Sequence, residues 1–80
     1  YATAIHFNKN LYEAYEGRGD MRIKLFKDHE NAIKDYSLAL NLNDTNSTLY
    51  FKRALSHLRK RNYDLGIEDL TKAIKYNQYY

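Results

Sequence analysis

The chain has 80 residues, nine of them tyrosine, with no cysteine, no proline and a formal net charge of +3 at pH 7. A chain this short forms one domain at most and buries about 60 to 65% of the surface that its unfolded form exposes. The lack of cysteine excludes disulfides and thiolate metal sites, and it favours a reducing, intracellular and cytoplasmic setting. No apolar run approaches the roughly 20 residues that a membrane span requires, so no membrane contact is predicted.

The predicted elements are helices throughout the chain. Residues 1–8 align with residues 36–43 at an offset of 35, so residues 1–11 are interpreted as the end of a truncated preceding repeat whose last helix lies near 1–8. The next helix is predicted from the spacing of Leu11, Tyr15, Met21 or Arg22, and Phe26, and it ends before residues 27–29. A further helix follows from the stripe formed by Ala32, Ile33, Tyr36, Ala39 and Leu40.

Residues 41–46 break this helical pattern. Candidate N-caps for a helix that starts near Thr48 are Asp44, Thr45, Asn46 and Ser47. Apolar and small residues line that helix at Tyr50, Ala54, His57 and Leu58. The last helix is lined by Tyr63, Ile67, Leu70, Ala73 and Ile74. Because the chain lacks proline, glycine and asparagine are expected to mark the helix ends.

An internal repeat organises these helices. Seven positions recur 34 residues later with matching size or chemistry. The first set is Ala32, Ile33, Asp35, Ala39, Leu40, Leu42 and Asn43. In the same order, the second set is Gly66, Ile67, Asp69, Ala73, Ile74, Tyr76 and Asn77. Upstream, Tyr15, Arg18 and Gly19 recur 35 residues later as Tyr50, Arg53 and Ala54. One inserted residue between Gly19 and Ala32 explains both offsets, which divides the chain into segments 1–11, 12–46 and 47–80.

Two helices and small residues at fixed places in a 34-residue period resemble the tetratricopeptide repeat. The residues that carry the resemblance are Tyr15, Arg18, Gly19, Ala32, Tyr36 and Ala39 in one copy, and Tyr50, Arg53, Ala54, Gly66, Leu70 and Ala73 in the other. Asp44 and Gln78 stand where the family has proline, and Gly66 replaces an alanine. The resemblance implies an all-α fold, an α-solenoid of antiparallel helix pairs that forms about two and a quarter repeats of a right-handed superhelix.

The recurring small residues and charges predict specific contacts. Helices approach closely only where side chains are short, so helix crossings are predicted at Gly19, Ala32, Ala39, Ala54, Gly66 and Ala73. Core packing is predicted for the aromatic rings of Tyr15, Tyr36, Tyr50 and Tyr63. Two structural ion pairs between partner helices are predicted, Arg18 with Asp35 and Arg53 with Asp69. The alternative for these four residues is a set of exposed charges.

The resemblance also implies a concave groove built by the first helix of each repeat. Its lining would comprise Glu13, Glu16, Asp20, Thr48, Phe51, Lys52, Leu55 and Arg59, called here the candidate groove. An acidic patch beside the apolar strip of Phe51 and Leu55 favours a basic or amphipathic protein segment. The family's lysine and asparagine clamp for a carboxylate has no counterpart here, since the matching positions carry Glu16, Asp20, Phe51 and Leu55. Neighbouring repeats that bury the apolar strip remain the alternative.

The predicted function is therefore a protein-interaction scaffold, with no enzyme activity and no cofactor. Scattered histidines and paired acids on helix faces offer neither a metal site nor a pocket. RNA binding is the rival function because Arg53, residues 59–61, Lys72 and Lys75 are basic, yet the tyrosines sit at core positions and leave few rings to stack on bases. A third possibility is a spacer within a longer solenoid. Neighbouring repeats or another copy of the chain are expected at the ends.

Overall fold

The structure is a computed structural model that describes the backbone of residues 2–77 and the side chains of residues 11–77. Four helices follow one another, α1 (Ala2–Phe26), α2 (His29–Leu42), α3 (Ser47–Arg59) and α4 (Tyr63–Tyr76). Within residues 2–77 there is no strand, which confirms the all-α fold class. The predictions made for Tyr1 and Gln78 concern positions outside the described residues.

Helix α1 is longer than the sequence predicted. It runs without interruption from Ala2 to Phe26, whereas the sequence predicts one helix that ends near residue 8 and another whose spacing begins at Leu11. Residues 8–11 contain neither glycine nor proline, so no residue in this stretch opposes helix continuation. The predicted break near residue 8 is therefore wrong, while the end of the helix before residues 27–29 agrees with the structure.

Helices α2 and α4 lie one 34-residue period apart. Their first residues are His29 and Tyr63, and their last residues are Leu42 and Tyr76. The turn before each contains a residue with positive φ, Lys27 at 52° and its repeat counterpart Arg61 at 66°. At the end of α3 the Asn62 N–H donates to the His57 carbonyl and the Arg61 N–H donates to the Leu58 carbonyl, the Schellman pattern. Glycine does not mark these ends, contrary to expectation.

Asparagine and aspartate side chains cap the N-termini of α3 and α2. The Asn46 side chain accepts the backbone N–H of Leu49 and caps α3, and Asp28 caps α2 by accepting the N–H of Asn31. Asn46 is one of the four candidate N-caps named from the sequence. Each such cap satisfies a helix N–H that has no intrahelical partner.

Successive helices pack against each other in the order α1 on α2, α2 on α3 and α3 on α4. The core side chains are Ala32, Tyr36, Ala39, Leu40, Leu49, Tyr50, Ala54 and Ala73. Tyr12, Tyr15 and Ile23 of α1 pack against this core while remaining partly exposed. Leu49 is completely buried, although the apolar spacing in the sequence did not predict it as a core residue.

The structure places all six predicted small residues in buried positions. A Cβ added to Gly19 would lie 2.8 Å from Cε1 of Tyr36, and one added to Gly66 would lie 2.8 Å from Cδ2 of Leu58. These distances are shorter than van der Waals contact, so the helix pairs α1–α2 and α3–α4 approach closely at the two glycines.

Three predicted core residues of α4 are exposed instead. The exposed fractions are 58% for Tyr63, 59% for Ile67 and 72% for Ile74. Helix α4 is the last described helix and packs mainly against α3, so only the side that carries Gly66, Asp69 and Ala73 is covered. Tyr63 was therefore wrongly predicted as a core residue.

Candidate partner-binding groove

Lys52 connects the two helices that line the candidate groove. Its Nζ lies 2.7 Å from Oε2 of Glu16 and 2.9 Å from Oδ2 of Asp20, so α3 is tied to α1 through two carboxylates. Burial lowers the pKa of Lys52, but the hydrogen bonds and charges of Glu16 and Asp20 outweigh this effect and raise it overall. The two carboxylates therefore share one ammonium group, so they are paired and do not form the free acidic patch that the sequence indicated, although the three side chains together keep a net charge of −1.

Asp20 also fixes the central aromatic ring. The hydroxyl of Tyr36 donates to Oδ1 of Asp20 at 2.6 Å, and the Tyr36 side chain is almost completely buried. Burial and the neighbouring Asp20 carboxylate both raise the pKa of the Tyr36 hydroxyl. Asp20 therefore joins Lys52 of α3 to Tyr36 of α2, which fixes the positions of three helices below the groove.

Phe51 and Leu55 project from α3 with 49% and 45% of their surface exposed. Each lines a separate cleft of about 360 Å³. The α3–α4 cleft lies against Phe51 and is completed mainly by Thr48, Leu70, Ala73 and Ile74. The α1–α3 cleft lies against Leu55 and is completed mainly by Ile23, Lys27, His29, Tyr36, Ser56 and Arg59. The apolar strip is thus open to solvent and continuous with two recesses.

The remaining residues of the candidate groove are exposed at its edges. Glu13, Thr48 and Arg59 are exposed, and the side chains of Glu13 and Arg59 have no ion-pair partner within residues 11–77. The structure therefore brings together Glu16, Asp20 and Lys52 as one charge cluster. It leaves Glu13 and Arg59 as free charges.

The two predicted ion pairs lie behind this surface and join α1 to α2 and α3 to α4. Arg18 donates from Nη2 to Oδ1 of Asp35 at 2.7 Å, and Arg53 donates from Nε to Oδ2 of Asp69 at 2.7 Å. Asp35 and Asp69 are both buried. The structure thus brings each arginine together with the aspartate that the sequence assigned to it, although about half of the Arg18 side chain stays exposed.

Further partners of these aspartates were not foreseen. Arg22 donates from Nε to Oδ2 of Asp35 at 2.9 Å, so Asp35 is held by two arginines. Arg22 lies one helical turn after Arg18, and this i, i+4 spacing was the available sequence signal. Its counterpart 35 residues later is His57, whose Nε2 lies 3.7 Å from Oδ2 of Asp69. Burial lowers the pKa of His57, which is the largest effect on it, against the opposing effect of Asp69.

Neither metal binding nor membrane insertion finds support in the described residues. No group of three histidine, aspartate or glutamate side chains in this part of the chain could hold a metal ion. Among the described helices, none combines the length and the apolar character that a bilayer crossing requires.

Comparison with known proteins gives one local similarity. The chain is 44% identical over 54 residues to serine/threonine-protein phosphatase 5 of Homo sapiens, Rattus norvegicus and Mus musculus. The similarity is local. The matched segment covers 68% of this chain but only 11% of the length of each phosphatase. No protein-family model and no solved structure matches the chain. The four helices, with α2 and α4 one period apart, fit a helical repeat.

Proposed function

We propose that this chain is a segment of a tetratricopeptide-type scaffold, and that it binds a protein segment in the candidate groove without catalysing a reaction. The observation that carries the proposal is the pair of half-exposed apolar side chains, Phe51 and Leu55, each beside its own cleft. Adjoining apolar side chains of this size on a solvent-facing surface are a feature of interaction sites. The local similarity to three phosphatases supports a helical-repeat segment of a larger protein.

The charge network below the groove supports a binding role by fixing its walls. Lys52 holds α3 against α1, and the Arg53–Asp69 pair holds α3 against α4. A surface whose helices are held in place loses little conformational entropy when a partner binds. The proposed binding surface is therefore preorganised.

The same network argues against catalysis. The carboxylates of Asp35 and Asp69 are buried and paired with arginines, and those of Glu16 and Asp20 are paired with Lys52. A general acid or base must reach a bound substrate, and these groups are already committed to structural contacts. The lack of cysteine supports a reducing, cytoplasmic setting for the binding role.

Arg53 and the tyrosine rings of the second repeat offer little to RNA. Arg53 donates to Asp69 and to Ser37, so its guanidinium is committed. The rings of Tyr50 and Tyr76 stack on each other with centroids 5.6 Å apart. Binding of single-stranded RNA depends on cations that are free to meet phosphates and on rings that are free to stack on bases.

A capture experiment with matched variants tests the proposal. The chain is immobilised as wild type, as a Phe51→Glu/Leu55→Glu groove variant and as a Leu38→Glu/Ile67→Glu control, and bound proteins from cell extract are compared by mass spectrometry. Leu38 and Ile67 are exposed apolar residues of α2 and α4, so the control adds the same charge elsewhere. We expect partners that bind the wild type and the control but not the groove variant.

Three results would contradict the proposal. Partners that survive the groove substitutions would place binding elsewhere on the chain. Binding of single-stranded RNA that weakens steeply with salt, in place of protein binding, would favour the rival function. Failure of any protein to bind the folded wild type would leave the spacer role as the better account. Far-ultraviolet circular dichroism of all three proteins excludes unfolding as the cause of a loss.

A further inference from the structure

The α1–α3 cleft carries free positive charge at its edge. Lys27 and Arg59 line it, and neither side chain has an ion-pair or hydrogen-bond partner in the part of the chain that the structure describes. The third cation of the lining, Lys52, is already paired with Glu16 and Asp20. No acidic side chain among the described residues lines this cleft, so the unpaired charges of its lining are cationic, and they complement an acidic group.

Two buried polar atoms of the same lining lack hydrogen bonds. Ser56 is 1% exposed and its Oγ has no partner, and the Nδ1 of His29 is likewise buried without a partner. Buried polar groups without partners cost free energy, and most such groups in proteins are satisfied by protein, water or ligand. Ser56 can donate its hydroxyl proton to an anionic oxygen that enters the cleft.

The α1–α3 cleft also has an apolar part. Ile23 and Leu55 supply aliphatic surface to its lining, and Tyr36 lines it as well. A group that fits this recess has an aliphatic stem with a negatively charged end, which describes a glutamate or aspartate side chain. The stem would contact Ile23 and Leu55, and the carboxylate would meet Lys27 and Arg59.

The α3–α4 cleft has a different character. Phe51, Leu70, Ala73 and Ile74 provide most of its lining, and no charged side chain lines it. This cleft therefore suits an aliphatic or aromatic side chain. Phe51 and Leu55 lie one turn apart on α3, about 6 Å along its axis. Two side chains at positions i and i+3 or i+4 of a partner helix are separated by a similar distance along its axis, so one could enter each cleft.

We propose that the occupant of these two clefts is an amphipathic helical segment of another protein, with an apolar side chain in the α3–α4 cleft and a carboxylate side chain one turn away in the α1–α3 cleft. This inference rests on the proposed function and specifies its partner. It differs from the basic partner expected from the sequence, because Glu16 and Asp20 are paired with Lys52 and the unpaired charges that line the α1–α3 cleft are those of Lys27 and Arg59.

Peptide selection tests the inference. A displayed library of random peptides of about 15 residues, the length at which an isolated helix becomes viable, is selected on the immobilised chain. We expect enriched sequences that place an acidic residue three or four positions from an apolar one. A synthetic copy of the most enriched peptide is then titrated by fluorescence anisotropy. Its affinity should fall about tenfold for Lys27→Glu/Arg59→Glu, since both charge contacts become repulsive.

A matched variant isolates the position of the charges. Lys34→Glu/Lys75→Glu makes the same change in net charge at exposed lysines of α2 and α4 that line neither cleft, and it should retain wild-type affinity. Circular dichroism and sedimentation velocity confirm that each variant is folded and that the chain is monomeric at the concentrations used.

The possible outcomes separate this inference from the proposed function. Enriched peptides with basic residues, or peptides that bind Lys27→Glu/Arg59→Glu as tightly as wild type, overturn the inference while leaving groove binding in place. Self-association that Phe51→Glu abolishes overturns it as well, because a second copy then occupies the clefts. Two outcomes contradict both the inference and the proposed groove. One is that no peptide is enriched on the folded monomeric chain, and the other is that selected peptides bind Phe51→Glu/Leu55→Glu as tightly as wild type.

Discussion

The guanidinium of Arg53 holds both carboxylate oxygens of Asp69 across the α3–α4 contact, with Nε 2.7 Å from Oδ2 and Nη2 2.8 Å from Oδ1. Only 20% of the Arg53 side chain and 5% of the Asp69 side chain are exposed. The hydrogen bond to Asp69 is the largest effect on the pKa of Arg53 and raises it. A two-point contact of this kind fixes distance and orientation together, so it sets how the two helices pack.

The first prediction concerns the energy of this pair. Removing Asp69 with Asp69→Ala leaves a partly buried guanidinium without its partner, and we expect a loss of about 3 kcal/mol or more in the free energy of unfolding. A double-mutant cycle with Arg53→Ala should give a coupling energy of about 1.5 to 3 kcal/mol, measured by urea denaturation. The exposed pair Lys60–Glu30, with Nζ and Oε2 3.9 Å apart, is the control and should couple near zero. Equal coupling in both cycles contradicts the structural role of the buried pair.

The second prediction concerns pH and His57. The pKa of His57 is lowered from its usual 6.5 by burial first, with Arg53 of α3 and Lys60 just after it acting in the same direction and Asp69 of α4 opposing them. The unfolded chain therefore binds the proton more readily than the folded chain does. This contribution to stability is fully present above the unfolded pKa and is lost as the pH falls through 6.5 towards the lower folded value.

Urea midpoints measured at a series of pH values check this sign. The wild type should lose stability on acidification, and His57→Gln should remove part of that loss by removing the titrating group. His29→Gln serves as a comparison at a histidine on α2. An unchanged acid loss in His57→Gln, or a gain in wild-type stability on acidification, contradicts the prediction.

The third prediction uses the turn after α3. Arg61 has φ of 66°, a region that is unfavourable for residues with a Cβ, and its N–H closes the Schellman turn. Replacement by glycine should raise the free energy of unfolding by about 0.5 to 1 kcal/mol. Arg61→Ala keeps the Cβ and should show no such gain, so the two variants separate backbone strain from loss of the arginine side chain. Thermal or urea unfolding gives the comparison.

The fourth prediction contrasts two glycines within α1. A Cβ on Gly17 meets nothing within 4 Å, so Gly17→Ala should stabilise the helix by about 0.5 to 1 kcal/mol. A Cβ on Gly19 would lie 2.8 Å from Cε1 of Tyr36. That ring cannot move away, since it is buried and its hydroxyl is bonded to Asp20.

Gly19→Ala should therefore destabilise the chain by about 1 to 3 kcal/mol despite the better helix propensity of alanine. Unfolding free energies of both variants, measured under the same conditions, test the contrast. If Gly19→Ala gains stability as Gly17→Ala does, the close α1–α2 approach at Tyr36 is not required by the fold.

Part of this architecture could be predicted from local repetition. The 34-residue recurrence of small residues and of aspartate gave the helix pair α2 and α4 and the assignment of Arg53 to Asp69. Such features follow from the sequence because equivalent residues in a repeat occupy equivalent surroundings. The N-cap at Asn46 could be predicted for a related reason, because a cap depends on residues that are close along the chain.

Other features depend on which helices meet and at what distance. The sequence predicts Lys52 as one of several groove residues and does not indicate its partners. Only the packing of the helices brings its Nζ to Glu16 and Asp20. The exposure of Tyr63 likewise follows from the position of α4 at the end of the described stack.

What the sequence determined by itself was therefore the all-helical class, the period, and the side chains that recur at that period. What only the tertiary structure decided was which charges of the groove are paired and which stay free. Periodicity is a property of the chain, whereas the pairing of Glu16 and Asp20 with Lys52 requires three side chains from two helices to meet within hydrogen-bonding distance. Coulomb energy depends on that distance and on burial, and neither is encoded by residue spacing alone.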